Sequence, residues 1–417
     1  MPLPSGFRDL PFMGVIHVNN EAMKAGWKMG DPAWSNLGQG QPEIGELAGA
    51  PARFSDLTID TPDHGYGPVE GIPEYRQAIA DHYNRLYRSS HSSKYTIDNV
   101  AVAPGGRAAL TRIGAALNRI RLGYFTPDYT AYEDLFATFG RIKPVHIELK
   151  AARGFRIDPG LLDAIVQRET LKALLISNPC NPTGVVISGN VLAEWVRIAC
   201  ARQCWLILDE FYSHYVFESG TPGAGPVSAA AHITDVNQDP IILVDGLTKC
   251  FRYPGWRSGW VVGPRDLIRT LTAAGSFLDG GPSRPFHRAA IEFLKPARAD
   301  QETSAVRRVF AEKQKLTVDR LTALGVEFPS PPQGTFYAFG DVSKLPEPLN
   351  TGEGFMREGF KHRVLTVPGE FFDVNPGKLR DGPSPLKNFV RFSFGPPSDN
   401  LTAGLDRLTE MVTNAKR

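Results

Sequence analysis

Four cysteines in 417 residues are too few for a disulfide framework and fit the reduced thiols of a cytoplasmic protein. Cys200 and Cys204 stand four apart, a spacing open to a helical metal pair. No other ligand cluster accompanies them, so buried packing is the reading and no metal is expected. The chain has no run approaching the ~18–20 apolar residues of a membrane span. The N-terminal MPLPSGFRDLPF lacks a basic segment followed by an apolar one. Charge of one sign is missing too: 46 basic residues face 44 acidic ones, for a net of +2. Without a basic stretch to neutralise phosphates, nucleic acid is not an implied partner. Internal repeats and low-complexity tracts are also absent.

What is present is enough apolar material, 42% of residues, for two domains or for one large domain with a smaller lobe. Residues 14–30 read as a helix, and residues 31–43, DPAWSNLGQGQPE, as a loop punctuated by Gly and Pro. Between 71 and 88, Ile72, Tyr75, Ile79, Tyr83 and Leu86 recur at nearly helical spacing, with Pro73 tolerated in the first turn. From about 100 to 265 the pattern changes to short apolar runs separated by helical stretches: NVAVAP, GYFTP, KALLISNP, CWLILDE, IILVDG and SGWVVGP. Several are apolar on both faces and too short for helices, as expected of a parallel sheet covered on both sides. Residues 302–324 read as an amphipathic helix stopped by Gly325. GTFYAF (334–339), RVLTVP (363–368) and NFVRFSF (388–394) then read as strands of a smaller α+β lobe.

Open α/β sheets bind ligands at the carboxyl ends of their strands. Three chemistry-bearing residues fall there: Asn181 after KALLISNP, Asp209 after CWLIL, and Lys249 after IILVDGLT. Lys249 follows a strand expected to be buried, where desolvation depresses an amine's pKa and makes it nucleophilic. Asp209 reads either as a strand-terminal cap or as the partner of a pyridinium nitrogen. Tyr212 and Asn181 are placed to hydrogen-bond a phenolic oxygen. Gly105-Gly106-Arg107 precedes the helical ALTRIGAAL, so its amides would lie at an anion-binding helix N-terminus. Arg257 adds a cation able to grip a phosphate bidentately, and Tyr66 a phenol. Tyr129, in TPDYTAY, is placed either to stack on an aromatic ring or for loop packing. Arg391, between alternating aromatics in NFVRFSF, needs an anion, either a substrate α-carboxylate or a structural Asp or Glu. An amine for a Schiff base, a carboxylate, phenols, an amide and a phosphate-binding arginine together suit pyridoxal 5′-phosphate (PLP).

From LGQGQPE (37–43) to RFSFG (391–395) the chain resembles the fold-type I PLP enzymes, specifically the class I/II aminotransferases that include aspartate and aromatic aminotransferases. YGPVEGIPEYR, the Gly-Gly-Arg turn, PDYTAY, NPCNPTG, DEFY, the Lys249 segment with PGWRSGW, and GTFYAF carry the resemblance in that order. It implies an α/β fold, with a large domain built on a mainly parallel seven-stranded sheet covered by helices, plus a small α+β domain. The expected division is an arm and part of the small domain at 1–60, the PLP domain at 61–300 and the small domain at 301–417.

The activity it implies is transfer of an amino group between an L-amino acid and a 2-oxo acid by ping-pong chemistry. The alternative outcome on the same residues is Cβ–X elimination or amino-acid oxidation. Lys249, Asp209 and Tyr212 would be catalytic. Thr248 would join the cofactor ligands, and Gly40, Asn181 and Arg391 would meet substrate. A homodimer with shared active sites is implied, with Tyr66 reaching into the partner's. A non-catalytic effector-sensing relative is disfavoured, because no basic recognition helix stands in the 36 residues before LGQGQPE.

The chain departs from the family pattern in three places. Gly246 stands where a phosphate-binding Ser is common three residues before the lysine. The usual Pro-Gly-Asp turn before the PxY segment is replaced by LNRIRLGYFTPDY. His287 stands where many relatives have Gln. For an acidic substrate side chain, Arg284 and Arg252 are the candidate cations; Phe12, Trp34, Tyr129 and Phe372 would instead permit an apolar or aromatic side chain, or pack in the core.

Overall fold

A computed structural model of the chain describes residues 6, 12–217 and 225–417. Among the described residues, twelve strands form three sheets: β1 (Ser35–Asn36), β2 (Val100–Ala103), β3 (Ile120–Thr126), β4 (Ile142–Glu148), β5 (Ala173–Ser177), β6 (Trp205–Asp209), β7 (Ile241–Gly246), β8 (Gly259–Val262), β9 (Tyr337–Asp341), β10 (Val364–Leu365), β11 (Val367–Pro368) and β12 (Phe389–Ser393). Seven make the large sheet, in the order β2-β8-β7-β6-β5-β3-β4. β4, β3, β5, β6 and β7 run parallel, while β8 is antiparallel to both its neighbours. The mainly parallel seven-stranded α/β fold is therefore the one expected.

Apolar runs became strands because both faces of this sheet are covered. β5 and β7 are buried at every residue, so no polar alternation is needed. β4 was not anticipated. It lies at the sheet edge, and its IKPVHIE mixes exposed Lys143 and Glu148 with a proline, which only an edge position tolerates. In register, Ser177 of β5 lies opposite Asp209 of β6, so the carboxyl ends of these strands finish level.

The second sheet, β11-β12-β9, is antiparallel, and the third pairs β1 with β10. RVLTVP, read as one strand, is thus two. The chain leaves β1 at Leu365 and joins β12 at Val367, with buried Thr366 between them. The N-terminal helix expected over 14–30 ends earlier: α1 spans Gly14–Lys24, and Gly26 at φ +98° turns the chain away. α2 spans Pro73–Tyr87 with its proline in the first turn, as expected. The helix expected over 302–324 starts earlier, at Pro296, and ends before Gly325 at φ +101°. Its first turns, PARADQ, show no apolar stripe, but Pro296 opens a helix well and Ala299 is buried. Of the cysteine pair, Cys204 is buried and Cys200 partly so. Among the described residues, no helix is long and apolar enough to cross a membrane.

Candidate active site

A cavity of about 890 Å3 opens at the carboxyl ends of β5, β6 and β7. Its wall includes Gly40, Gly106, Arg107, Tyr129, Asn181, Asp209, Tyr212, Thr248, Lys249, Arg257 and Arg391. Residues expected to act together are thus brought together from positions 40 to 391. Gly105 adjoins this wall behind Arg257.

Lys249 sits three residues beyond β7, in a turn pinned by Leu247 donating to the Ser258 carbonyl at 3.0 Å. Tyr215 holds the Lys249 carbonyl at 3.1 Å, leaving the side chain to cross the cavity and donate to the Gly40 carbonyl. Burial lowers its pKa to about 7. Arg391 and Arg107 push in the same direction, and Asp209 opposes them. An ordinary lysine is almost wholly protonated at neutral pH, whereas this one is a substantial fraction free amine.

Asp209 ends β6 and is buried. The Tyr132 hydroxyl donates to it at 2.9 Å and the Phe211 amide at 3.4 Å. Burial raises its pKa to about 6, against the pull of those two bonds. Such a carboxylate gains most when a cationic ring nitrogen comes to meet it. Beside it, the Tyr212 and Tyr337 hydroxyls lie 3.1 Å apart.

At the other end, α3 (Gly106–Ala116) starts without a side-chain cap among the described residues, and its first residues, Gly106 and Arg107, line the cavity. Gly105 has φ +92° and ψ +168°, a conformation essentially confined to glycine. A Cβ there would stand 2.3 Å from Arg257 Nη2, and one on Gly106 would stand 2.4 Å from the Phe211 ring. The two glycines thus keep open a cradle between backbone amides and a guanidinium, a fit for a phosphate. Gly246 contributes no ligand, because a Cβ there would meet the Ser258 carbonyl at 2.4 Å. Thr248, on the cavity wall, is the hydroxyl that remains.

Arg391, in β12, is buried, and its guanidinium lies 4.0 Å from the Tyr337 ring centre and 5.1 Å from that of Phe372. It donates to Asn181 Oδ1 at 3.0 Å and to the Gly38 carbonyl at 2.8 Å, both neutral acceptors. Among the described residues its buried Nε has no partner and no carboxylate pairs with the guanidinium. A buried, unneutralised guanidinium facing a cavity is a site for an anion.

Other sequence candidates lie elsewhere. Tyr66 is fully exposed at 101% and lines no part of this cavity. Arg252 is buried against Glu302 at 2.6 Å and the carbonyls of Glu43 and Gly45. Arg284 pairs with Asp63 at 3.5 Å. Neither lines the cavity. Arg107 does, with its Nε 3.1 Å from the Tyr129 hydroxyl and no carboxylate partner among the described residues. His287 is buried against the Tyr75 ring, away from the cavity.

Sequence reasoning missed Tyr132, Tyr337, Ser177 and Asp128. Tyr132 follows Tyr129 by three residues at a helix start, and Tyr337 stands in GTFYAF. Both motifs were noted, but only tertiary contact shows which phenol faces inward.

The donor set matches PLP at three points: a depressed amine, a buried carboxylate, and a glycine cradle closed by Arg257. A family model described as "Aminotransferase class I and II" matches residues 32–408. An aspartate aminotransferase of Streptomyces avermitilis is 28% identical, covering 90% of this chain and 91% of its own. An aspartate/prephenate aminotransferase of Thermus thermophilus is 27% identical over 86% and 89% of the two chains. Among solved structures, an aminotransferase from Mycobacterium tuberculosis superposes with a TM-score of 0.79, at 24% identity over 97% of each chain.

Proposed function

We propose, from the premise that this chain belongs to the class I and II aminotransferase family, that Lys249 anchors the cofactor and that the substrate is an acidic L-amino acid of the aspartate class. As a member of that family the protein is a PLP-dependent aminotransferase, moving an amino group between an amino acid and a 2-oxo acid. The observation that carries the substrate reading is a pair of guanidiniums on the cavity of Lys249 with no carboxylate partner among the described residues: buried Arg391 for the α-carboxylate, and Arg107 for a second carboxylate.

PLP, when bound, supplies an electron sink for the bond broken at the substrate's Cα. Everything else falls to the chain. Arg257, Thr248 and the first amides of α3 would hold the phosphate. Asp209 would hold a proton on the ring nitrogen, with Tyr132 keeping the carboxylate oriented. Tyr129 would lie against the ring face, and Tyr212 and Asn181 beside its oxygen. Arg391 would grip the substrate α-carboxylate, with the Gly38–Gly40 loop closing over it. Lys249 Nζ, freed once the substrate's own amine takes its place, would accept the proton from Cα and return it in the second half of the exchange. Arg107, a cavity cation without a carboxylate partner among the described residues, is available to a second carboxylate. The names of the relatives, aspartate and aspartate/prephenate aminotransferase, agree with that choice.

The division at 61–300 and 301–417 is supported by the large sheet falling wholly in the first segment and β9–β12 in the second. A homodimer is supported by exposed Tyr66, Ile59 and Phe277, with Tyr66 supplied to the partner's site. A cytoplasmic setting agrees with the four free cysteines.

The test is a screen of the holoenzyme with single amino acids and no 2-oxo acid. One equivalent of amino group should be consumed, most readily from aspartate or glutamate, and then the reaction should stop. Continued ammonia release would mark a lyase or an oxidase, and preference for uncharged side chains would remove the role given to Arg107.

A further inference from the structure

The TPDYTAY turn contributes a carboxylate that the proposed chemistry does not use. Asp128 is fully buried just beyond β3. Its oxygens accept the Tyr129 amide at 2.7 Å, the Ser177 amide at 3.2 Å, and the Ser177 hydroxyl. Ser177 Oγ accepts the Asn181 amide at 3.1 Å, and Asn181 Oδ1 accepts Arg391 Nη1 at 3.0 Å. The amide of Asp128 donates to the Phe372 carbonyl at 3.1 Å, and the Phe372 ring lies 5.1 Å from the Arg391 guanidinium. Two routes from one residue therefore converge on the same guanidinium.

An ionised carboxylate here is costly, so at neutral pH the group is mostly the neutral acid, whose oxygens still hold the same neighbours. Burial pushes its pKa to about 8, even against the bonds from Ser177 and Tyr129, and among the described residues no cation pairs with it. Packing alone would be served as well by an uncharged residue. Three acceptances spread over two segments are what the carboxylate adds: it fixes Tyr129 on one side and Ser177 on the other.

We infer that Asp128 is a positioning residue for substrate, acting through Ser177 to hold Asn181 and Arg391 in the arrangement that receives the α-carboxylate; this rests on the reading of Arg391 given above. Asp128 does not line the cavity, whereas Ser177, Asn181 and Arg391 do. Its influence reaches substrate only through those neighbours.

The experiment compares holoenzymes carrying Ser177→Ala, Asp128→Asn, Asp128→Ala and Arg391→Gln. KM and kcat are measured in the steady state with a saturating 2-oxo acid and the standard amino acid that the unsubstituted enzyme converts fastest. The dissociation constant for PLP and the melting temperature accompany them. Ser177→Ala removes one hydroxyl and no charge, so it keeps the test alive if Asp128→Ala does not fold. Expected are a large KM rise in Arg391→Gln and about a tenfold rise in Ser177→Ala, with PLP affinity within about twofold. Asp128→Asn, which keeps one acceptor oxygen, should fall between the unsubstituted enzyme and Asp128→Ala. The inference is overturned if Arg391→Gln raises KM while Ser177→Ala and Asp128→Asn leave it unchanged and only lower the melting temperature. If Arg391→Gln itself leaves KM unchanged, the carboxylate site fails and the inference with it.

Discussion

Lys249 and Gly40 meet across 209 residues of chain, the lysine Nζ donating to the glycine carbonyl. The contact ties the carboxyl end of β7 to a loop that enters beside β1, so the amine is covered by the segment proposed to close over substrate. Covering it also explains its basicity, because water that would stabilise the ammonium is kept away and the nearby guanidiniums add repulsion.

The pH dependence of cofactor capture follows. Only the unprotonated amine attacks a carbonyl, and burial lowers the pKa of Lys249 to about 7. The rate of PLP incorporation into the apoenzyme should rise with pH through about 7 and level off above about 8. Stopped-flow absorbance at constant ionic strength measures it. A rate still climbing tenfold per pH unit at pH 9 would mean an ordinary, solvated lysine.

Gly105→Ala should release PLP. The backbone at φ +92°, ψ +168° excludes a side chain, and the new Cβ would displace Arg257. Backbone strain alone costs ~1–3 kcal/mol, roughly a 5- to 150-fold rise in the PLP dissociation constant. Equilibrium dialysis of the variant reads the change. Affinity within a factor of two would place the phosphate elsewhere.

Arg391→Gln should lower kcat/KM by about 2–4 kcal/mol, roughly 30- to 900-fold. The PLP absorbance should remain, because Arg391 is assigned to substrate and not to the cofactor. Steady-state kinetics with the best amino donor, alongside a spectrum of the purified variant, separates these effects. Loss of the cofactor band with intact fold would reassign Arg391.

His287 makes a prediction about stability. Both its ring nitrogens are buried without partners among the described residues, and burial lowers its pKa to about 4 from 6.5. The unfolded chain therefore binds a proton between those values that the folded chain refuses. The stability tied to this residue is intact above pH 6.5 and is lost as the pH falls toward 4, by on the order of 3 kcal/mol at the limit. His287→Leu should flatten that part of the pH–melting curve and raise the melting temperature near pH 5.5. A curve parallel to the original would assign the acid sensitivity to other groups, such as buried His82 and His214.

The fold was legible wherever burial was complete. ALLIS, WLILD and IILVDG could only be covered strands, whereas edge strand β4 was hidden by its lysine, proline and histidine. Lys249, Asp209 and Arg391 were legible because each is a charge placed where an apolar strand makes charge expensive. Other features were not. Arg252 and Arg284 were read as the candidate cations for an acidic side chain, and only the positions of Glu302 and Asp63 show that both are already matched; Arg107 was read only as part of the phosphate cradle. Asp128 and Ser177 lie 49 residues apart, and their pairing depends on β3 and β5 being neighbours in the sheet. The role proposed for Tyr66 requires a second copy of the chain, which no intrachain contact can display.

The central claim is that the amine of Lys249 carries the cofactor. Borohydride reduction of the holoenzyme, followed by proteolysis and mass mapping, tests it most directly. The expected result is one pyridoxyl phosphate adduct per chain, on the peptide containing Lys249 and absent from Lys249→Ala. An adduct on a different lysine, or an unmodified Lys249 peptide from fully reduced holoenzyme, would contradict the assignment.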